Sequence, residues 1–311
     1  MSSKRLGIIS LIGLLSVFAG CEIVLRIAGF GNPLIYQASA SGYEIAPNQK
    51  VNRLGKKLTY NADGVRVADA KMPYAADRIL TLGDSITYGG SQISDTDSYP
   101  LKLEAKMQAA GFEISVLNPS AGGWSLLNEA AWLKSHGTME AKLIYLQIGE
   151  NDLFQPFSGS EILDNHPSFP TKKPISAVVE VLTRYIAPRL GLGKTAVDPG
   201  ASAFKSDAIA LKASIGAIKD IAKRAHDNDA GLVIVYIQPR TPSSAVETIE
   251  AKDALLATCK DLNVPVIDVS PAMVRAGIDS VFRDNVHPNA IGNEVLAGLV
   301  ASDAVQRIVK D

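Results

Sequence analysis

The chain has 311 residues, of which 47% are hydrophobic and 20% are charged, and its formal net charge is −1. These values suit one large globular domain with a sizeable core, and they show no sign of the basic surface that nucleic acids bind. Of the two cysteines, Cys21 ends an apolar segment and Cys259 lies on a predicted helix, so we expect neither a disulfide nor a metal site from them.

The N-terminal segment, residues 1–29, has the layout of a signal peptide or signal anchor, because two basic residues precede an apolar run over residues 6–21. The run reaches the length of about 20 residues that a membrane span needs if it continues over residues 23–25. It also ends in a sequence that resembles a bacterial lipoprotein cleavage site at Cys21. An uncleaved anchor, a lipidated Cys21 and ordinary cleavage are therefore alternatives, and all three place the following domain outside the cytoplasm.

Residues 30–76 are rich in Gly, Pro, Asn and other polar residues. Apart from short β-like pieces such as residues 57–60, we expect them to form an extended juxtamembrane segment that packs on the next domain with little regular structure of its own. Residues 77–311 are predicted to form that domain. Within it, residues 153–205 form a proline-rich insertion with an amphipathic piece at 175–190, and long insertions commonly form lids and binding loops.

Five short apolar runs are predicted as strands, and the segments between them mostly as helices. The predicted strands cover residues 78–82, 113–117, 142–148, 232–237 and 264–269. The predicted helices cover residues 99–110, 126–135, 208–225, 248–262 and 290–309. Apolar strands that alternate with helices favour an α/β fold with a parallel sheet covered on both faces.

Four short motifs carry the chemistry of the chain, and the first three directly follow predicted strands. In chain order they are Gly83-Asp84-Ser85, the Asn-Pro-Ser-Ala-Gly-Gly stretch at residues 118–123, Gly149-Glu150-Asn151-Asp152 and Asp284-Asn285-Val286-His287. In open α/β sheets, reactive residues gather outside the carboxyl ends of the strands. The topology is therefore expected to bring these motifs together.

Ser85 is the candidate nucleophile. It should begin a helix, whose free N–H groups and dipole favour developing negative charge, although serine is also a common helix cap. A serine hydroxyl needs a base within hydrogen-bond reach. His287 can be that base, because Asp284 can accept a hydrogen bond from its Nδ1 and leave Nε2 free to take the serine proton. The alternative is that Asp284 only caps the last helix and His287 only packs.

Stabilisation of an oxyanion needs donors that are fixed before the reaction. The backbone N–H of Ser85, a glycine N–H from residues 118–123 and the side-chain amide of Asn151 could supply three. Asp84 and Asp152 are expected to support the site by fixing the local backbone. The sequence has no phosphate-binding loop, dinucleotide motif or zinc-protease motif, so we expect no cofactor.

The four motifs, in this order, resemble those of the SGNH (GDSL-type) hydrolase family, and the resemblance covers residues 78–300. It implies a flavodoxin-like three-layer α/β/α sandwich and ester hydrolysis without a metal. In that family the last glycine of the second motif is an oxyanion donor, which implies Gly123. The N-terminal apolar segment, followed by residues 22–26 and an extended stretch, resembles membrane-tethered bacterial members.

We therefore predict a membrane-anchored, extracytoplasmic serine esterase that acts on carboxylic esters, with O-acetyl groups of carbohydrate as one candidate substrate. Three alternatives stay open. The first is a lipase or lysophospholipase in which the insertion acts as a lid. The second is an enzyme that transfers acyl groups to a sugar. The third is a non-catalytic module that binds acylated glycans.

Overall fold

A long helix, α1 (Ser3–Ile27), begins the computed structural model, which describes residues 3–192 and 206–308. Within α1, Gly7–Ile27 is long and apolar enough to cross a membrane, with a mean hydropathy of 2.4, and it is not buried in the domain. Membrane anchors and signal sequences share these properties.

Two antiparallel hairpins follow, formed by β1 (Tyr36–Ser39) with β2 (Gly42–Ile45) and by β3 (Gln49–Arg53) with β4 (Lys56–Tyr60). They correct the prediction that residues 30–76 have little regular structure. The β-like piece at residues 57–60 lies in β4, but strands of four or five residues show too little alternation for the sequence to indicate two complete hairpins. The hairpins bury large side chains, among them Tyr43, Leu58 and Tyr60, and so belong to the hydrophobic core.

Five parallel strands form the central sheet: β5 (Asp77–Leu82), β6 (Ile114–Leu117), β7 (Leu143–Gly149), β8 (Gly231–Ile237) and β9 (Val266–Asp268). Their spatial order is β6-β5-β7-β8-β9. Each strand begins and ends within two residues of its predicted position, and all four neighbouring pairs are parallel, which confirms the predicted parallel sheet. The chain passes from β6 on one side of β5 to β7 on the other, so a ligand crevice is expected at the carboxyl end of β5.

Helices cover both faces of this sheet. Over the described residues, the helices that follow α1 along the chain are α2 (Ser85–Tyr88), α3 (Tyr99–Ala109), α4 (Leu126–His136), α5 (Ala177–Val181), α6 (Ala187–Arg189), α7 (Asp207–Asp227), α8 (Val246–Asp261), α9 (Ser270–Arg275), α10 (Ile278–Val281) and α11 (Ala290–Ile308).

Neighbouring residues of one strand are buried on opposite faces. Tyr145 of β7 and Val233 of β8 belong to a core that includes residues of α3 and α11. Leu146 and Ile234, one position further along each strand, belong to a second core with α4, α7 and α8. Because side chains alternate along a strand, burial on both faces explains the continuous apolar runs. The architecture is the predicted three-layer α/β/α sandwich.

The predicted insertion is described up to residue 192, and residues 193–205 lie outside the described part of the chain. α5 continues through a π-helical turn (Leu182–Ile186) into α6. The amphipathic piece predicted at 175–190 is therefore helical over residues 177–189.

The end of α1 is attached to this insertion. The Glu22 carboxylate accepts hydrogen bonds from the backbone N–H groups of Ala177 and Val178, each at 3.0 Å, and forms an ion pair with Arg26 at 2.6 Å. The first N–H groups of a helix have no partner within that helix. Glu22 thus caps α5 from a different helix.

Candidate active site

Ser85 begins α2, directly after the carboxyl end of β5. The cap of this turn is the preceding residue, Asp84, whose Oδ1 accepts a hydrogen bond from the N–H of Ile86 at 2.8 Å. Gly83 allows the tight turn, because a Cβ atom there would lie 2.2 Å from Thr87 Oγ1. Ser85 is therefore at the predicted helix start, and its hydroxyl is not needed as the cap.

Asp284, His287 and Ser85 form a continuous hydrogen-bonded chain. Ser85 Oγ lies 2.9 Å from His287 Nε2. His287 Nδ1 lies 2.9 Å and 3.0 Å from the two carboxylate oxygens of Asp284. One ring nitrogen thus faces the hydroxyl and the other the carboxylate, an arrangement in which the imidazole can take the serine proton.

Asp284 also orders the turn that carries His287. Its Oδ1 accepts hydrogen bonds from the backbone N–H groups of Val286 at 2.9 Å and His287 at 2.8 Å. Partial burial opposes ionisation of Asp284, but these bonds and the adjacent imidazole hold its pKa below the ordinary value. From the sequence, Asp284 could either cap the turn or orient the imidazole of His287. In the structure its carboxylate does both.

The second motif passes beside α2. The side-chain amide of Asn118 donates to the carbonyl oxygen of Thr87 at 2.8 Å, which holds the loop against the turn that begins with Ser85. Gly123 has a φ of +77°, a conformation that glycine adopts without strain. Gly122 and Gly123 line the same cavity as Ser85, so the loop reaches the site as predicted.

The third motif lies at the end of β7, which pairs with β5. Asn151 begins a 3₁₀ turn there and is exposed at the carboxyl edge of the sheet. Asp152 is buried, and its Oδ2 accepts a hydrogen bond from the N–H of Gly149 at 2.6 Å. Asp152 therefore fixes the turn, while the action of Asn151 as an oxyanion donor stays a prediction.

Three buried carboxyl groups, Asp84, Asp152 and Glu129, influence one another beneath the site. Burial, reinforced by repulsion from Asp84, raises the pKa of Asp152 well above its ordinary value. Burial also raises the pKa of Asp84, although the bond from Ile86 and the charge of His287 partly offset it. Burial and the charges of Asp152 and Asp84 raise the pKa of Glu129 well above its ordinary value.

Glu129 was not among the predicted site residues. It is fully buried on α4, and its Oε2 has no hydrogen-bond partner among the described residues. A signal for it exists in the sequence, because Glu129 shares one helix face with Leu126 and Leu133, at spacings of three and four residues. A carboxyl group on an apolar helix face indicates a buried acid.

A cavity of about 280 Å³ opens at Ser85. Its walls include Tyr36 and Arg53 from the hairpins, Phe169, Arg184 and Tyr185 from the insertion, and Arg283 from beside Asp284. None of these residues was predicted. Arg184 and Tyr185 lie in the predicted amphipathic piece, and Arg283 precedes the fourth motif. Amphipathic spacing and a neighbouring motif do not indicate which side chains face a nucleophile that comes from a distant part of the chain.

The two cysteines take no part in the site. Cys21 is exposed on α1, and Cys259 is buried, which raises the pKa of its thiol to about 11. Both are free. Over residues 3–192 and 206–308, the structure holds no group of three or more His, Cys, Asp or Glu side chains placed to bind a metal ion.

The sequence model of the GDSL-like Lipase/Acylhydrolase family matches residues 81–295. The match covers more than half of the chain and encloses all four motifs. The chain therefore belongs to the GDSL-like lipase/acylhydrolase family, whose members are ester-cleaving hydrolases.

A comparison with solved structures gives several similar proteins. The psychrotrophic esterase EstA from Pseudoalteromonas sp. is 13% identical with a TM-score of 0.46, over 75% of this chain and 99% of that one. A lipase/acylhydrolase from Enterococcus faecalis is 18% identical with a TM-score of 0.46, over 74% and 96%. A mutant of the Geobacillus acetyl-xylooligosaccharide esterase Axe2 is 13% identical with a TM-score of 0.46, over 73% and 94%. A search of curated protein sequences gives no match.

Proposed function

We propose that the protein is a membrane-anchored, extracytoplasmic serine esterase in which Ser85 is the nucleophile, His287 the base and Asp284 the group that orients the base. The observation that carries the proposal is the hydrogen-bonded chain through these three residues, with 2.9 Å between Ser85 Oγ and His287 Nε2. A serine hydroxyl is a poor nucleophile until a base at this distance takes its proton. Ser85 also lines a cavity that an ester can enter.

In the first half of the proposed reaction, Ser85 Oγ attacks the ester carbonyl carbon while its proton moves to His287 Nε2. The backbone N–H groups of Ser85 and Gly123 and the side-chain amide of Asn151 stabilise the oxyanion, and each such donor is worth about 3 kcal/mol of barrier. His287 then protonates the leaving alcohol. In the second half, His287 takes a proton from water, whose oxygen attacks the carbonyl carbon of the acyl-serine. The bond between that carbon and Ser85 Oγ then breaks, His287 returns the proton to Ser85 Oγ, and the acid is released.

Asp84 and Asp152 act as supports in this scheme. Each accepts a hydrogen bond from a backbone N–H beside a proposed functional residue, Asp84 from Ile86 and Asp152 from Gly149. They therefore hold the strand ends that carry Ser85 and Asn151 in one arrangement before the substrate arrives.

The test is covalent labelling with diethyl p-nitrophenyl phosphate, which reacts with activated serines. We expect one adduct, on Ser85, and a matching loss of p-nitrophenyl acetate hydrolysis. Ser91 lines the same cavity, so Ser91→Ala is the matched control and should still be labelled, whereas Ser85→Ala should not. A protein that is neither labelled nor able to hydrolyse any ester would instead be a binding module for acylated glycans.

The volume of the cavity, about 280 Å³, lies just below the range of about 300–1,000 Å³ that is typical of ligand pockets. This supports a short acyl group, and O-acetylated carbohydrate is a substrate of that kind. Transfer of the acyl group to a sugar uses the same acyl-serine. Mass spectrometry of the products, with and without an added sugar acceptor, distinguishes hydrolysis from transfer.

A lipase or lysophospholipase is a second candidate, and exposed apolar residues of the insertion favour it. Ile175 is 88% exposed, Leu190 67% and Leu192 60%, although all three are apolar. The helical segment between them is capped by Glu22 of α1, so these side chains flank the element that the proposed anchor contacts. Rates with p-nitrophenyl acetate, butyrate and palmitate, with and without vesicles, separate the two candidates, because only a lipase should favour palmitate at a lipid surface.

A further inference from the structure

The charged residues that line the cavity beside Ser85 all carry the same sign. Among the described residues they are Arg53, Arg184 and Arg283, and no carboxylate lines the wall. Guanidinium groups bind carboxylate and phosphate groups through paired hydrogen bonds. The cavity therefore has the charge and the donors to bind an anion next to the proposed nucleophile.

Arg53 is held firmly in this wall. Its Nη2 donates to Glu180 Oε1 and to the hydroxyl of Tyr185, both at 2.8 Å. The guanidinium carbon lies 4.3 Å from the centre of the Phe30 ring, and the side chain is 10% exposed. A rigid arginine loses little conformational entropy when a ligand binds.

The positive charge of Arg53 and Arg184 is only partly compensated. Both arginines share one buried carboxylate, Glu180, whose Oε1 lies 2.8 Å from Arg53 and 3.4 Å from Arg184. The second carboxylate oxygen of Glu180, Oε2, accepts a hydrogen bond from the backbone N–H of Gly31 at 2.5 Å. Burial lowers the pKa of Arg184, and the charge of Arg53 adds to this effect, although Tyr185 and the Glu180 carboxylate partly offset it. An additional anion would relieve the repulsion between these two cations.

Arg283 is the third cation of the wall. Its Nη1 donates to the carbonyl oxygen of Gly89 at 3.3 Å, whereas its Nε is buried without a hydrogen-bond partner among the described residues and lies 3.7 Å from Asp284 Oδ2. Both oxygens of Asp284 lie within hydrogen-bond distance of His287 Nδ1, so this carboxylate is already engaged. A guanidinium with spare donors thus stands directly beside the proposed catalytic residues.

We propose that this cavity binds an anionic substituent, a carboxylate or a phosphate, of the ester that Ser85 attacks. The inference rests on the proposed esterase function and names a substrate class for it. A neutral substituent would leave three guanidinium groups facing two carboxylates, and a buried charge that lacks a partner is costly. An anionic substituent supplies the missing negative charge and accepts hydrogen bonds from the unpaired N–H groups.

Matched ester pairs test the proposal. 4-Acetoxybenzoate and its methyl ester differ in charge on the leaving group, whereas monophenyl succinate and phenyl methyl succinate differ in charge on the acyl group. 4-Acetoxyphenyl phosphate tests a phosphate in place of the carboxylate. We expect the wild-type protein to show at least tenfold higher kcat/KM for the charged member of one pair, and that pair identifies the side of the ester that enters the cavity.

Arg184→Gln is the informative variant, because Glu180 keeps its bond to Arg53. It should lower kcat/KM for the preferred anionic ester about tenfold, equivalent to about 1.4 kcal/mol, and change the neutral partner less than twofold. Arg184→Lys should retain more of the preference. The matched control is Arg189→Gln, since Arg189 is exposed on the same insertion and bonds to the carbonyl oxygen of Tyr185. It should leave the preference unchanged.

Equal kcat/KM for charged and neutral esters, or an equal loss on both in Arg184→Gln, would overturn the inference and leave the esterase function standing. If no ester is hydrolysed, the proposed esterase function is wrong, and the anion site is then tested by measuring the binding of anionic ligands. Calorimetry then uses 4-hydroxybenzoate, succinate and phenyl phosphate with the full chain. Binding that weakens about tenfold in Arg184→Gln but not in Arg189→Gln supports the anion site, and no binding of the three ligands overturns it.

Discussion

The hydroxyl of Tyr43 donates a hydrogen bond to the carbonyl oxygen of Gly122 at 2.8 Å. That carbonyl and the N–H of Gly123 belong to one trans peptide group, so they point in opposite directions. Tyr43, on the first hairpin, thereby sets the direction of the N–H that is proposed to hold the oxyanion. Ser158 fixes the other side of Gly123 by donating to its carbonyl oxygen at 2.7 Å.

Tyr43→Phe should lower kcat for ester hydrolysis about tenfold with little change in KM, because a less firmly held Gly123 N–H affects mainly the transition state. Tyr145→Phe is the matched control. It also removes a hydroxyl hydrogen bond, to Asp303 Oδ2 at 2.9 Å, but on the face of the sheet covered by α11. Steady-state kinetics of both variants checks this. An effect on KM alone in Tyr43→Phe would contradict a role through the oxyanion donor.

Ser85→Ala should abolish ester hydrolysis and leave the thermal midpoint within about 1 °C of the wild type. The stability should hold because Asp84, and not Ser85, supplies the helix cap at the start of α2. Activity assays and calorimetry on the same preparation check both parts. Near wild-type turnover in this variant would remove Ser85 as the nucleophile.

Asn151→Ala should lower kcat by roughly 10²–10³ and change KM little, since the amide is expected to bond the oxyanion mainly in the transition state. The measurement is the separate determination of kcat and KM with p-nitrophenyl acetate. If KM alone rises, Asn151 positions the substrate and does not stabilise the oxyanion.

Glu129→Gln should stabilise the protein increasingly as the pH rises. Below the ordinary glutamate pKa of 4.5, both the folded and the unfolded chain hold the proton. Above it the unfolded chain releases the proton while the folded chain keeps it. Wild-type stability therefore falls by up to about 1.4 kcal/mol per pH unit until the raised folded-state pKa is reached.

Urea unfolding at several values between pH 5 and 8 measures this difference. The free energy of unfolding of Glu129→Gln, relative to that of the wild type, should increase across that range. Glu250 is exposed on α8, and Glu250→Gln serves as the control that should show no such trend. A difference that is constant with pH would mean that Glu129 is ionised in the folded chain.

The location of the domain is tested in spheroplasts, where added protease should reach it from outside. Cys21→Ser distinguishes the anchor alternatives. Membrane association should persist if α1 is an uncleaved span, whereas maturation should stop if Cys21 is lipidated. Recovery of a full-length, soluble protein from the cytosol would exclude both.

The proposed nucleophile, base and oxyanion donors could be found from the sequence because each stands in a short motif at the end of an element. Asp284 and His287 are three residues apart, and Ser85 follows an apolar strand. Arg53 could not be found in this way. It reaches the cavity through a hairpin of five-residue strands, and its partner Glu180 lies 127 residues away.

The capping of α5 by Glu22 limits how far the cavity can move from the end of α1. Ile27, the last residue of α1, and Pro33, at the cavity wall, are six residues apart, so the chain between them spans at most about 20 Å. With α1 in a bilayer and bonded to the helical segment that carries Arg184, the proposed enzyme has no flexible tether on which to search the surrounding volume. Its substrates would have to be membrane components or molecules that diffuse to the membrane surface, and turnover would depend on their concentration there.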